Sequence, residues 1–406
     1  HDALPIYIPT KEETGVNLLR TQPEWEEERS GGSKTGIITA LLLFLCIIAV
    51  AFFSYQRSLK PDAELKDILQ TIRVSASDVV KEAHPLSTYE FDASEKPVFV
   101  VYKNHIVKCG SSGIWFLDKT GEVVRSEGLI YSNALIKTSG SQLLIADRNT
   151  GEISVLDDKT IRWKEKLDTT ILNADINEDG YVTVITKAKR DNNVIRVFES
   201  HGVELFQKVI ANDYAVSANV SPSDNMLTLS GINTGAVGVF SIYKFYDMKG
   251  NDLTNLSFEE SAELFPIFWY NNDNSLFTVG GRAAASIDSS GKLLWEKPFR
   301  RVIGAEPVGD GRLALVEESG NGTVLRIYSS EGEELASAAL QGKPEGMNAR
   351  RGTISVNTSD TVYFYNDKCK NISKYEAGSP IKQVCFFDKR QAAVITDRQV
   401  TVINIY

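Results

Sequence analysis

The chain has no excess of positive charge. Its 406 residues include 44 Lys and Arg against 53 Asp and Glu, which gives a formal net charge of −9. Proteins that bind nucleic acid neutralise phosphates with clustered Lys and Arg. The charge balance therefore argues against a nucleic-acid partner. The surplus of acid is small and spread along the chain, so it favours solubility rather than one particular ligand.

Cysteine and histidine are scarce, with four residues of each. No CxxC or HExxH spacing is present, so we predict no zinc site, no other metal and no cofactor. Three cysteines follow the apolar run near the N-terminus, and an odd number excludes a complete disulfide framework. We expect Cys109, Cys369 and Cys385 to be buried thiols, with a Cys109–Cys385 bridge as the alternative. His105 lies four residues before Cys109, but such a pair in a strand does not converge on a catalytic pocket.

One long hydrophobic run stands out from an ordinary composition. Residues 36–55, GIITALLLFLCIIAVAFFSY, contain no charged side chain. A helix of this length spans about 30 Å, the thickness of the bilayer hydrocarbon. The run is too long and too far from the N-terminus for a cleaved signal peptide. It predicts a single transmembrane helix and, therefore, a single-pass protein of the cell membrane.

The flanks of this run suggest an orientation and two linking segments. Positive charges on its two sides nearly balance. Because long domains after one apolar anchor are commonly translocated, we expect a cytoplasmic N-terminal tail and an extracytoplasmic main domain. Residues 1–35 read as a disordered acidic tail, in which Trp25 is a candidate docking residue. Residues 56–85 read as a linker that contains a short amphipathic helix.

Residues 86–406 read as strand after strand, separated by Gly, Asp and Asn turns. One unit recurs: an apolar strand that ends in an acid or Ser, a turn with Gly, and a second short strand. Its markers are Asp118 with Gly121, Asp157, Glu199 with Gly202, Asp247 with Gly250, Asp288 with Gly291 and Trp295, Ser329 with Gly332, and Asn366.

The spacing of the markers fixes the size of the unit. Intervals between successive copies range from 37 to 48 residues, and a four-stranded propeller blade needs about 40. The Asp or Ser accepts hydrogen bonds from backbone N–H groups two residues on, and Gly takes the left-handed conformation that closes the hairpin. We interpret these residues as structural.

The ends of the repeat predict how the ring closes. The last unit supplies three strands before Tyr406, and residues 87–92 are free to provide the fourth. Pairing of the first strand with the last blade removes the exposed edges of an open array. The count of units predicts an all-β, eight-bladed β-propeller with an N-terminal latch strand. Seven blades are the alternative, if one degenerate copy is not a blade.

The copy at 285–295, ASIDSSGKLLW, resembles the repeat of quinoprotein-type (PQQ-like) propellers. The whole arrangement is similar to an uncharacterised family of membrane-anchored propellers from Gram-positive bacteria. The resemblance implies the fold. Quinoprotein enzymes use stacked tryptophans, an Asp base, Ca²⁺ ligands and often a vicinal disulfide. This chain has no adjacent cysteines, and Trp163 and Trp295 occupy the repeat's own position, so the enzymatic residues do not carry over.

We therefore expect a non-catalytic binding platform or scaffold in a bacterial cell-envelope complex. The bilayer would hold it through residues 36–55, and protein partners would bind a propeller face or the tail. We interpret the apolar run at 264–270 as an inner strand rather than a partner site. The alternative functions are a ligand-binding sensor, or a quinone- or sugar-directed enzyme with its site in the central funnel.

Overall fold

The computed structural model describes residues 80–406, apart from 189–192, 236–237, 262 and 321. The acidic tail, the predicted transmembrane helix at 36–55 and nearly all of the linker lie outside the described residues. Within those that are described, no helix has the length and apolar character to cross a membrane. The sole helical element of this part is one turn of 3₁₀-helix at Ala93–Glu95.

The strands form eight sheets arranged as the blades of a ring, which confirms the predicted eight-bladed propeller. Two strands precede the first complete blade: β1 (Lys81–Glu82) and β2 (His84–Glu90). Blade 1 contains β3 (Val98–Tyr102), β4 (His105–Gly110), β5 (Gly113–Leu117) and β6 (Val123–Glu127). Blade 2 contains β7 (Ala134–Ser139), β8 (Gln142–Asp147), β9 (Glu152–Leu156) and β10 (Ile161–Lys166). Blade 3 contains β11 (Ile171–Ile176), β12 (Val182–Lys187), β13 (Asn193–Phe198) and β14 (Glu204–Ile210).

The remaining blades repeat the same order. Blade 4 contains β15 (Asp213–Val220), β16 (Met226–Asn233), β17 (Phe240–Asp247) and β18 (Asp252–Ser257). Blade 5 contains β19 (Ile267–Tyr270), β20 (Leu276–Val279), β21 (Ala283–Ile287) and β22 (Leu293–Pro298). Blade 6 contains β23 (Arg301–Gly309), β24 (Arg312–Ser319), β25 (Gly322–Ser329) and β26 (Glu334–Ala339). Blade 7 contains β27 (Gly346–Arg350), β28 (Thr353–Asn357), β29 (Thr361–Asn366) and β30 (Asn371–Glu376), and blade 8 contains β31 (Ile381–Phe386), β32 (Gln391–Thr396) and β33 (Gln399–Asn404).

The strand order gives the ring two different faces. The first strand of each blade lies innermost and the fourth outermost, and neighbouring strands of a blade are antiparallel. All inner strands therefore begin at one face, together with the connections between blades. We call this the loop face. The turns between the first and second strands, and between the third and fourth, lie at the opposite face, which we call the turn face.

The hydrophobic core is divided among the contacts between neighbouring blades. In the described part of the chain, eight clusters of buried side chains each join two adjacent blades. Side chains alternate between the two faces of a strand. Leu143 and Ile145 of β8 accordingly pack toward blade 1, while Leu144 and Ala146 pack toward blade 3. This double burial explains the nearly continuous apolar runs of the second strands.

The ring is closed by the N-terminal strand, as predicted. Strand β2 pairs antiparallel with β33, from His84 opposite Asn404 to Glu90 opposite Gln399, and completes blade 8. It begins earlier than the predicted segment at 87–92, because a bulge after Pro85 lets the pairing continue. The sequence did not predict the pairing of β1, which adds a parallel fifth strand to the edge of blade 7 beside β30. An ion pair between Lys374 and Glu82 supports this addition.

The latch strand also carries an aromatic contact with blade 1. The ring of Tyr89 lies over Gly121, so close that a Cβ there would come within 2.5 Å of the tyrosine Cγ. Leu86, on the same strand, is 50% exposed. We expect Tyr89→Ala to lower the free energy of unfolding by about 2 kcal/mol, because it removes a partly buried ring at the closure point.

This prediction is measured by urea unfolding of the full chain in detergent, with Leu86→Ala as the control. Removal of an exposed side chain usually changes the free energy of unfolding by no more than about 0.5 kcal/mol. Equal stabilities of the two variants would contradict a role for Tyr89 in closure.

Candidate functional site

The predicted repeat residues lie in the outer turns, between the third and fourth strands of the blades. Oδ1 of Asp118 accepts hydrogen bonds from the backbone N–H groups of Thr120 and Glu122. The hydroxyl of Thr120 also donates to it and contributes most to holding the pKa of Asp118 below its ordinary value. Asp157, Asp247 and Asp288 accept backbone hydrogen bonds in the same way. These four carboxylates therefore organise the turns.

The glycines of the outer turns share one conformation and one kind of contact. They have φ between +81° and +91°, a region that favours glycine. Four of them receive an aromatic ring from the fourth strand of the preceding blade: Gly121 from Tyr89, Gly202 from Trp163, Gly250 from Phe206, and Gly332 from Trp295. A Cβ at Gly332 would lie 2.9 Å from the Trp295 ring, and the indole N–H of Trp295 donates to the carbonyl of Ser330.

Tryptophan in the repeat therefore joins two blades rather than capping its own sheet. Other side chains replace it at the equivalent positions of blades 1 and 4. Arg125 of blade 1 donates to the carbonyl oxygen of Asp157 in blade 2 at 2.8 Å. Thr254 of blade 4 lies against Gly291 of blade 5, where a Cβ would meet its Cγ2 at 2.7 Å.

At the contact between blades 6 and 7, the strand residue is small and the turn residue is larger, the reverse of the tryptophan–glycine pairs. Ala336 occupies the tryptophan position of β26, and Cys369 occupies the glycine position with φ of +55°. The two side chains share one core cluster, and the Cys369 thiol donates a weak hydrogen bond to the carbonyl of Leu325 at 3.8 Å. A small residue on the strand thus accompanies a larger one in the turn.

Cys109, Cys369 and Cys385 are free, buried thiols, and the alternative Cys109–Cys385 bridge is not formed. Burial raises the pKa of Cys109, Cys369 and Cys385 to about 12. In the described ranges, no group of three or more His, Cys, Asp or Glu side chains is placed to hold a metal ion. Trp25 lies outside the described residues.

Three ionisable side chains from different blades lie on the inner strands that line the central channel. Lys137 projects from β7, Asp175 from β11 and Glu306 from β23. Burial raises the pKa of Glu306 to about 7 and also raises the pKa of Asp175, while the charge of Lys137 opposes both shifts. Blades 2 and 6 lie across the ring from each other, so a lysine that acts on both acids occupies their shared central space.

The two mouths of the channel differ in chemistry. At the turn face, a depression of about 500 Å³ is lined by polar and charged residues such as Lys103, Glu178 and Arg350. At the loop face, five exposed apolar side chains lie near the start of the inner strands of blades 1 to 5. They are Val98, Ile130, Leu172, Tyr214 and Ile267, with exposures between 39% and 62%. We call this set the apolar mouth.

A groove of about 720 Å³ opens at the loop face between blades 5 and 6. Inner strand β19 has only four residues, whereas its neighbour β23 has nine, so the start of β23 has no strand beside it in blade 5. Gly280, in the turn after β20, lets the backbone of Leu264 approach closely, since a Cβ there would lie 2.3 Å from the Leu264 carbonyl oxygen.

The groove is mostly apolar, with one carboxylate at its inner end. Its lining includes Leu264, Pro266, Ile267, Trp269, Val302 and Ile303, and Glu306 lies where it meets the channel. Glu263, also in the lining, is paired with Arg282 at 3.2 Å. The interpretation of 264–270 as an inner strand is right for 267–270, but it missed that this run also lines a groove. Pro266 and the pair Gly280 and Gly281 were the signals of an interrupted blade.

Solved propeller structures resemble this ring. BamB from Moraxella catarrhalis has a TM-score of 0.52 at 15% identity, covering 79% of this chain and 99% of that chain. Sqt1 from Saccharomyces cerevisiae has a TM-score of 0.58 at 8% identity, covering 79% and 98%. The C-terminal WD40 domain of Sif2 has a TM-score of 0.57 at 12% identity, covering 81% and 97%. At these identities the likeness shows the fold alone.

The sequence itself matches one family profile over residues 77–405, described as a family of unknown function (DUF5711). No protein of curated function matches the sequence. The functional argument therefore rests on the geometry of the ring.

Because Ala336 and Cys369 share one space between blades 6 and 7, substitutions at the two positions should have non-additive effects on the free energy of unfolding. We expect Ala336→Trp to destabilise the ring by about 2 kcal/mol, because Cys369 fills the space that the indole needs. Adding Cys369→Gly should recover at least about 1 kcal/mol of this loss through coupling between the contacting sites. The measurement is a double-mutant cycle of urea unfolding, and strictly additive effects would contradict the sharing of this space.

The buried carboxylate predicts a pH-dependent stability. Because the pKa of Glu306 is raised from 4.5 to about 7, the folded state binds more protons than the unfolded chain in this range. The contribution of Glu306 to the free energy of unfolding therefore falls as pH rises from about 4.5 to about 7. We expect Glu306→Gln to be more stable than the wild type by up to about 3 kcal/mol at pH 8, and by less than about 1 kcal/mol at pH 5.

Urea unfolding at the two pH values measures this difference. Glu165→Gln, at an exposed position of the outer strand β10, is the control. The same difference at both pH values would show that Glu306 is not the group responsible.

Proposed function

The chain belongs to this family of unknown function, and we propose that it is a membrane-tethered, non-catalytic platform whose propeller binds protein partners. The proposed setting is a bacterial cell-envelope complex. The tether is the uncharged run at 36–55, which has the length of a bilayer-spanning helix. In this proposal the tail with Trp25 lies in the cytoplasm, and the ring lies outside.

The observation that carries the proposal is the apolar mouth together with the groove beside it. Protein interfaces are enriched in aromatic residues at their centre and are rimmed by polar groups. Tyr214 and Ile267 are each 51% exposed on successive inner strands, and Trp269 lines the adjacent groove. The turns between first and second strands, at the opposite face, carry none of the large exposed apolar side chains in the described part of the chain. The outer turns and outer strands at that face do carry exposed apolar residues, among them Val123, Val203, Leu253, Leu294 and Leu335. The asymmetry therefore concerns the rim of the channel, where it favours the loop face as the binding surface.

Tethering makes such a surface effective. A partner in the same membrane meets the ring at a high effective concentration, so a modest interface suffices. The ring itself supplies a rigid support, because each groove wall belongs to a blade packed on both sides. The ionisable groups of the channel support one alternative, in which the funnel binds a small ligand and the ring acts as a sensor.

Site-specific photo-crosslinking in cells tests the proposal. A benzoylphenylalanine is placed in the full chain at Tyr214 or Ile267, and as controls at Leu294 or Leu335, which are equally exposed on outer strands. We expect the two loop-face positions to form an adduct with a defined membrane or envelope protein, and the outer-strand positions to form none. Adducts of equal yield at all four positions, or none at any, would contradict a platform at the loop face.

A parallel arm tests the tether. Replacement of residues 36–55 with a flexible linker of equal length is expected to release the protein from the membrane fraction. Retention in that fraction would refute the assignment of this run as the anchor.

A further inference from the structure

We propose that the groove between blades 5 and 6 binds an extended segment of a partner protein in which an apolar residue is followed by Lys or Arg, whose cation pairs with Glu306. This inference rests on the proposed function and adds the chemistry of the partner. The apolar side chain would occupy the outer part of the groove, and the basic side chain would reach inward to the channel.

The size and walls of the groove suit a short extended segment. About 720 Å³ lies within the range of pockets that bury most of a ligand of several residues' size. Trp269, Pro266 and Val302 supply apolar walls of low flexibility. An apolar side chain seated between them is removed from water, which is the main source of affinity at such sites.

The backbone along one wall of the groove is partly open to an extended chain, although the Val302 N–H already donates to the Gly281 carbonyl at 2.8 Å. Strand β23 is the edge strand of its sheet, so its inner backbone groups have no strand of blade 6 beside them. A bulge between Val302 and Gly304 leaves Ile303 without a partner residue in the ladder with β24. Edge strands of this kind accept extended peptides by main-chain hydrogen bonding.

The carboxylate of Glu306, at the inner end of the groove, favours a basic residue after the apolar residue of the bound segment. Within the described part of the chain, the Glu306 carboxylate has no ion pair or hydrogen bond, whereas Glu263 at the other end is neutralised by Arg282. Lys137, which also acts on Asp175, opposes the pKa shift of Glu306 from the channel but does not pair with it. An incoming ammonium or guanidinium would pair with this half-buried carboxylate and offset the cost of its charge.

The same charge makes binding depend on pH. A cation favours the ionised form of Glu306, so its binding at pH 6 requires release of a proton that is already lost at pH 8. The groups facing Glu306 are Lys137 and, through it, Asp175, and the Glu263–Arg282 pair lies at the far end of the same groove. We therefore expect a basic segment to bind more tightly at pH 8 than at pH 6, with a smaller change for a neutral one.

Fluorescence anisotropy of the full chain in detergent micelles tests this inference. The probes are three labelled pools of capped hexapeptides with Leu, Ile, Phe or Trp at two adjacent positions, followed by Lys, norleucine or Glu. We expect the Lys pool to bind about tenfold more tightly than the norleucine pool at pH 8, and the Glu pool to bind most weakly. In Glu306→Gln, the preference for Lys over norleucine should disappear, while Glu165→Gln should keep it.

The apolar part of the site has its own variant. Ile267→Ser should weaken binding of both the Lys and norleucine pools several-fold, and Leu294→Ser, at a matched exposed position, should not. Equal binding of the Lys and norleucine pools, or no binding of any pool up to about 1 mM, would overturn the inference. Displacement of the Lys pool by n-butylamine at the peptide's own concentration would assign the site to a small amine and would likewise overturn it.

Failure of this inference is distinguishable from failure of the platform. If the crosslinked partner at Ile267 is retained in Glu306→Gln while the peptide pools do not discriminate, the platform stands and the recognition of a basic segment is wrong. If the adduct is absent in the wild type as well, the platform itself fails.

Discussion

The contact between neighbouring blades is the interaction on which the whole ring depends. Each core cluster belongs to two blades, so no blade buries both of its faces alone. An open array would leave two faces exposed to water, and closure removes both at once. Strand β2 makes that closure by completing blade 8 and by laying Tyr89 over Gly121 of blade 1. Three further outer turns repeat this contact, with an aromatic side chain of one blade on Gly202, Gly250 or Gly332 of the following blade.

The candidate binding surface follows from a local departure from this regular packing. Blade 5 has a short inner strand beside the long β23, and a groove lies between the two blades at the loop face. Because the walls belong to blades fixed on both sides, the groove keeps its shape without a ligand, and less ordering is lost on binding. The same geometry buries Glu306 at the groove's inner end.

The parts of the fold that were predictable from the sequence are those encoded by local chemistry. An Asp followed by Gly at a spacing near 40 specifies a turn and a blade, and the missing fourth strand of the last unit predicted the latch. The pairing of β1 was not predictable, since two residues carry no periodic pattern. Nor was the channel site: Glu306 is an ordinary strand residue in the sequence, and Lys137 lies 169 positions away. The groove is formed by residues of two different blades that come together only in the folded ring, which a repeat motif does not encode.

The most direct test of the account is hydrogen exchange of the full chain in the proposed membrane assembly, compared with the purified chain in detergent. If the loop face is the binding surface, added protection will be confined to the segments around 263–267, 280–282 and 300–306, and to the starts of neighbouring inner strands. In the turns of the opposite face, amide hydrogens will exchange at the same rate in the assembly and in the purified chain. Protection centred on the outer turns around Asp118, Asp247 or Asp288, with the groove unchanged, would place the partner on the opposite face and contradict the account.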